Sequence, residues 1–135
     1  MAQIFTVGYS AGWTPESLLS FLVKEDAILI DVRFNPSSRM AEWRQGPLSR
    51  VMGERYLHLK GLGNENYKGG PIKLHDPQAA ADRVAELLAS GKSVALLCVC
   101  GSPDRCHRRD AAQFCASRFD AEITHVRSPR EVPHG

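Results

Sequence analysis

The sequence predicts an α/β protein, a three-layer Rossmann-like sandwich around a mostly parallel sheet of about five strands. Three observations predict it. Short apolar runs alternate along the chain with segments of helical periodicity. A capping residue followed by proline, the signature of a helix start, occurs twice after such a run, at Thr14-Pro15 and Asp76-Pro77. The runs Ala27 to Val32, apolar but for Asp31, and Val94 to Val99 read as strands covered on both faces.

Ile4 to Tyr9, rich in β-branched and aromatic residues, reads as the first strand. Thr14, Pro15 and Glu16 then start a helix whose apolar stripe is Leu18, Leu19, Leu22 and Val23. Ala27 to Val32 is the second strand and leads into Asp31-Val32-Arg33. Residues 35–46 are polar and read as a loop, Leu48 to Met52 as a helical turn and Tyr56 to Leu59 as a third strand. Residues 61–70 hold four glycines and two asparagines and read as a mobile loop. After Asp76-Pro77, the positions Ala81, Val84, Ala85 and Leu88 follow i, i+3, i+4, i+7, and Gly91 ends that helix. Val94 to Val99 is the fourth strand, Arg105 to Phe119 a helix and Glu122 to Val126 the last strand.

With 135 residues, 43% of them hydrophobic, residues 1–127 make a single domain that needs no disulfide to build a core. Residues 128–135, with two prolines, form a flexible C-terminal tail. No apolar run is long enough for a bilayer and the first residues lack the features of a signal peptide, so we expect a cytoplasmic protein with reduced thiols and no membrane partner. The net charge of +2 gives no general case for nucleic acid. Arg105, Arg108, Arg109, Arg118, Arg127 and Arg130 nevertheless crowd the last third, so a nucleic-acid partner stays open.

Short right-handed crossovers suggest the strand order 3-2-1-4-5, with the first and fourth strands adjacent at the switch point. Ligands of such sheets sit beyond the carboxyl ends of the strands. Three segments would meet there: Gly8-Tyr9-Ser10, Asp31-Val32-Arg33 and the turn Cys98 to Arg109, which holds three of the four cysteines.

Within that turn, helical spacing puts Arg108 on one stripe with Ala112, Cys115 and Phe119, facing the sheet. A guanidinium there must meet an acid, an anion or carbonyl oxygens. Asp31 is the internal candidate; a ligand anion cradled by Arg108 and the helix N-terminus is the functional alternative. Cys106 lies at that helix start, where thiolates are favoured, and is a candidate nucleophile as well as a good small core residue. His107 points toward Asp110 and Phe114, as a proton shuttle or an exposed cap residue. Cys98, Cys100, Cys106 and His107 read C-x-C-x5-C-H, a zinc-compatible donor set. The C-x2-C knuckle is missing and adjacent ligands at 106 and 107 should diverge, so no metal and no cofactor are expected. Cys115 lies half a helical rotation from Cys106 and cannot join.

A further pattern, Cys100-x4-Arg105 with Ile30-Asp31-Val32-Arg33, resembles a rhodanese-type sulfurtransferase, whose persulfide cysteine would be Cys100; Asp104 puts a negative charge where that loop takes an anion. Taken together, Thr6 to Ser10, Leu29 to Arg33, Pro36, Ser38-Arg39, Tyr56-Leu57-His58, Leu62-Gly63, Leu96-Leu97-Cys98 and Cys106-His107-Arg108 resemble the domain-of-unknown-function 488 family, over about residues 4 to 126. The resemblance implies a compact α/β fold and no particular reaction. It also implies an acid where Cys100 stands, which weakens the sulfurtransferase and metal readings.

These readings converge on an enzyme or ligand binder for a small anionic or phosphate-bearing substrate. The candidate catalytic residues are Cys106, His107 and Asp31. The candidate binding residues are Gly8, Tyr9, Ser10, Arg33, Ser38, Arg39 and Arg108. Gly8 allows close backbone approach, Ser10 and Ser38 offer hydroxyls, and the arginines can grip phosphate in bidentate fashion. Tyr56 and His58 share one strand face and read as a core-edge tyrosine and a satisfied histidine. Trp13 and Trp43 read as packing residues.

Overall fold

A computed structural model describes residues 2–99, 106–126 and 128–129. The C-terminal tail beyond Pro129 and the segment from Cys100 to Arg105 lie outside the described residues. The predicted architecture is present: five parallel strands, β1 (Ile4–Gly8), β2 (Ala27–Asp31), β3 (Tyr56–His58), β4 (Ser93–Cys98) and β5 (Ile123–Val126), with helices α1 (Pro15–Glu25), α2 (Gln45–Met52), α3 (Pro77–Ala89) and α4 (His107–Arg118). No helix among the described residues is long and apolar enough to cross a membrane.

The local signals act as read. Thr14 closes a capping box with Ser17 at the start of α1, and Pro15 takes the first helical position. Pro77 does the same for α3, although the Asp76 side chain makes no capping bond. Beyond α3, Gly91 adopts a left-handed φ of 93°, which costs glycine little. The helical turn expected at residues 48–52 is a full helix from Gln45, and the loop before it contains a short 3-10 turn at Ala41–Trp43.

Strand order is the main correction. It is β3-β2-β4-β1-β5, not 3-2-1-4-5. The expected β1–β4 neighbourhood holds, with Gly8 opposite Cys98, but β4 also lies between β1 and β2. The crossover through α1 skips one position and leaves a slot that β4 fills much later in the chain. No local residue pattern encodes such a skip, whereas the fully buried pattern of β4 is what a central strand requires.

Two cores flank the sheet. Ile4, Ile30, Val94 and Leu96 pack on α3 and α4. Phe5, Val7, Leu29, Ala95 and Leu97 pack on α1, α2, Trp13 and Trp43. The chain leaves β1 and β2 toward α1 and α2 on one face and leaves β4 toward α4 on the other. The crevice at the carboxyl edge therefore opens around the end of β4.

The glycine-rich segment is tied down more firmly than its composition suggests. Asn64 Oδ1 accepts hydrogen bonds from the backbone of Asn66 and Lys73, and Leu62 is fully buried. Gly63 lies so close to residue 34 that an added Cβ would meet Phe34 Cα at 2.5 Å and its N at 2.6 Å. Because the clash is with backbone, Gly63→Ala should lower stability by about 1–3 kcal/mol. A urea midpoint equal to that of the parent would refute this close approach.

Candidate functional site

The strand pleat divides the predicted residues between two sides of the sheet. Side chains two apart share a face. Asp31 follows Leu29 onto the α1/α2 face, whereas Cys98 follows Leu96 onto the α3/α4 face. Asp31 and the Cys106–His107 pair, which the sequence reading brought together, are therefore held apart by the sheet.

On the first side, Asp31 is fully buried and both its carboxylate oxygens are engaged. Arg33 Nε donates to Oδ1 at 2.8 Å and Arg33 Nη2 to Oδ2 at 2.7 Å. The backbone N–H of Arg33 also donates to Oδ1, and Tyr56 Oη donates to Oδ2 at 2.6 Å. Asp31, the internal candidate partner of Arg108, is thus ion-paired to Arg33, two residues along its own strand end. Burial disfavours the Arg33 guanidinium, but the Asp31 carboxylate outweighs it and raises the pKa. Burial first, and the Asp31 charge second, push the Tyr56 phenol up, so it stays a proton donor. Arg33 Nη1 also donates to the Trp43 carbonyl, and its guanidinium lies 5.7 Å from the Tyr9 ring centre. His58 Nε2 donates to the Arg33 carbonyl at 2.8 Å. Tyr56 and His58 are the satisfied strand residues the sequence implied, and the bonds of this group tie the ends of β2 and β3 together.

On the other side, α4 starts at Cys106, an N-cap with extended backbone (φ −114°, ψ 138°). Of the expected stripe, Arg108 and Ala112 are fully covered and Cys115 is 1% exposed, whereas Phe119, at the helix C-cap, is half-buried. Burial alone pushes the Cys115 thiol up to about 12. Iodoacetamide should therefore leave Cys115 unmodified in the folded protein at about pH 8 and label it once the chain is unfolded. Peptide mass mapping reads this out, and equal labelling in both states would contradict the burial.

His107 is not the exposed cap residue that was one expectation; it is only 8% exposed. Its Nε2 donates to the Val32 carbonyl at 2.7 Å. A carbonyl only accepts, so Nε2 carries the hydrogen and, in the neutral ring, Nδ1 holds the lone pair. That lone pair lies 3.5 Å from Cys98 Sγ and 4.0 Å from Cys106 Sγ. Adjacent ligands at 106 and 107 were expected to diverge. They converge because the change from extended N-cap to helix turns both side chains toward the end of β4. The donor atoms of Cys98, Cys106 and His107 all lie within 4.8 Å of one another.

No family model, characterised protein or solved structure matches this chain.

Two cavities adjoin at the end of β4, both bordered by Ser37 and Val99. The first, of about 410 Å³, has Cys98, Cys106 and His107 on one wall, with Arg33, Phe34, Asn64 and Tyr67 around it. The second, of about 700 Å³ and more open, is bordered by Tyr9, Ser10, Ser38, Arg39 and Arg44. Ser38 Oγ accepts from Tyr9 Oη at 2.8 Å and from the Met40 backbone at 3.1 Å, which leaves its own hydrogen to donate. Of the predicted residues, Cys106, His107 and Arg33 thus border the first cavity and Tyr9, Ser10, Ser38 and Arg39 the second. Gly8, Asp31 and Arg108 border neither; Gly8 ends β1 beside Cys98.

The sequence places Cys98 in the strand core and does not point to Ser37, Arg44, Asn64 or Tyr67. For Cys98 a signal existed: it is the last residue of β4 and shares the face on which the next helix packs. For Asn64 and Tyr67 there was none, since a loop's path across the sheet edge leaves no periodic trace. The Cys100-x4-Arg105 pattern lies outside the described residues. Of the crowded arginines, Arg108 is buried, while Arg109 lies 3.6 Å from Asp110 and Arg118 3.8 Å from Asp82.

Proposed function

We propose that the chain is an enzyme, or an enzyme-like binder, for a small phosphate-bearing molecule that spans the two adjoining cavities. The observation that supports this reading is a cavity bordered by Arg39, Arg44, Ser10 and Ser38 that adjoins the thiol–imidazole cluster across a shared border at Ser37 and Val99. The phosphate sits in the second cavity, where Arg39 and Arg44 supply charge and Ser10 and Ser38 supply hydroxyl donors. The rest of the ligand extends over Val99 to Cys98, Cys106 and His107. There the Nδ1 lone pair accepts a thiol proton, and the Cys106 thiolate is the reacting group. Asp31 and Arg108 support the strand and helix ends from which this machinery projects. The motif order that resembles the domain-of-unknown-function 488 family belongs to this reading, and a cytosolic location, which keeps the thiols reduced, accompanies it.

Calorimetric titration with phosphate monoesters and their uncharged alcohols tests the proposal. Arg39 is exposed, so Arg39→Ala should leave folding intact. Losing one charge-assisted hydrogen bond should weaken phosphate-ester binding by roughly 10-fold or more while leaving the alcohol unaffected. Absence of binding to any phosphate ester, or an Arg39→Ala affinity equal to that of the parent, would overturn it. A non-catalytic nucleic-acid module predicts instead a steep salt dependence for RNA or DNA.

A further inference from the structure

We propose that Cys98, Cys106 and His107 form a three-ligand site for a thiophilic divalent cation, zinc above all, with its fourth position open to the first cavity. The donor set, two thiols and an imidazole, is one that zinc prefers to harder cations. The spacing suits a tetrahedron. Zinc–sulfur bonds of about 2.3 Å and zinc–nitrogen bonds of about 2.0–2.1 Å place sulfur and nitrogen roughly 3.5–3.6 Å apart. The two Sγ–Nδ1 separations are 3.5 and 4.0 Å, and no pair of donor atoms is more than 4.8 Å apart. Closing the set around an ion needs movements of at most about an ångström.

The surroundings favour the same occupant. The Val32 carbonyl holds His107 Nε2–H and so presents Nδ1, the nitrogen that faces the thiols, as the ligand. A backbone carbonyl behind a histidine is the usual way a ligand ring is oriented. All three residues are buried, where two thiolates alone would be costly. With a divalent cation the charges cancel: the two thiols release two protons to solvent, each thiolate donates a pair, and the neutral imidazole donates a third. Because all three residues border the cavity, a fourth ligand reaches the ion from the cavity side. Three protein ligands with one open position is the pattern of reactive rather than structural zinc sites. The occupant of that position is then water or an anionic group of the cavity ligand. With the cation bound, Cys106 is a ligand; with it stripped, Cys106 is the thiol of the reading above.

The test uses the full chain. Protein purified without added metal is analysed for zinc, then stripped with a chelator and titrated with cobalt(II). We expect about one zinc per chain, and a cobalt spectrum with a thiolate-to-metal charge-transfer band and the strong visible bands of a tetrahedral site. Zinc titration of the stripped chain should release protons. Cys98→Ala, Cys106→Ala and His107→Ala should each reduce zinc to background, while Cys115→Ala and Arg39→Ala keep it. Because a cavity variant can fail to fold, the cobalt spectrum of the parent is the second measurement. A cobalt spectrum without the thiolate band, or zinc content unchanged in properly folded triad variants, overturns the site. The Arg39→Ala control keeps this outcome separate from failure of the phosphate-binding reading.

Discussion

Replacing Asp31 with alanine should destabilise the protein by about 3–5 kcal/mol, the usual cost of removing one partner of a buried ion pair. The loss comes chiefly from what remains. Arg33 is only 4% exposed, and without Asp31 its Nε and Nη2 lose their carboxylate, leaving a buried guanidinium whose remaining hydrogen-bond acceptor among the described residues is the Trp43 backbone carbonyl. Tyr56 Oη loses its acceptor as well. Asp31→Asn keeps the shape and one oxygen but not the charge, and should lie between parent and alanine variant. Urea or thermal unfolding measures both. The result separates two roles for this residue. A carboxylate kept for proton transfer would be removable at little cost in stability; a midpoint within about 0.5 kcal/mol of the parent would therefore favour the catalytic role over the structural one.

Trp43→Ala should cost a similar amount, about 3–5 kcal/mol, as large-to-small changes at buried aromatics do. Trp43 is fully buried, and its ring stacks on Tyr9 with centroids 4.6 Å apart and planes 12° apart. Tyr9 in turn reaches Ser38 in the wall of the second cavity. The cavity left by the indole therefore undermines the wall that carries Ser38 as well as the core, so, on the proposed function, phosphate-ester affinity should fall together with stability. Trp43→Phe provides the contrast. It keeps an aromatic stack and removes an indole N–H that has no hydrogen-bond partner among the described residues. It should cost clearly less than alanine. Equal losses for the two variants would show that the stack with Tyr9 contributes nothing.

Much of the fold was legible residue by residue. Thr14-Pro15 and Asp76-Pro77 marked helix starts because capping and the fixed φ of proline are local effects. The apolar run of β4 announced a strand covered on both faces. The stripe Arg108, Ala112, Cys115 and Phe119 follows from helical period alone, and its first three positions are buried. Strand order was not legible, since the skipped slot between β1 and β2 is filled by a strand more than sixty residues later.

The site was half legible for the same reason. The sequence by itself determined which groups lie at the carboxyl edge: thiols and imidazole after β4, a carboxylate and guanidinium after β2, and hydroxyls and a guanidinium in the following loop. Only the tertiary structure decided which of them meet. The two-residue alternation of β2 and β4, combined with the departure of their helices to opposite faces, sends Asp31 to Arg33 and Tyr56 and sends Cys98 to His107. Cys106 and His107 converge because the backbone changes from extended to helical between them. Such pairings depend on how strand registers and chain crossings stack in three dimensions, and spacing along one strand or helix carries no record of them.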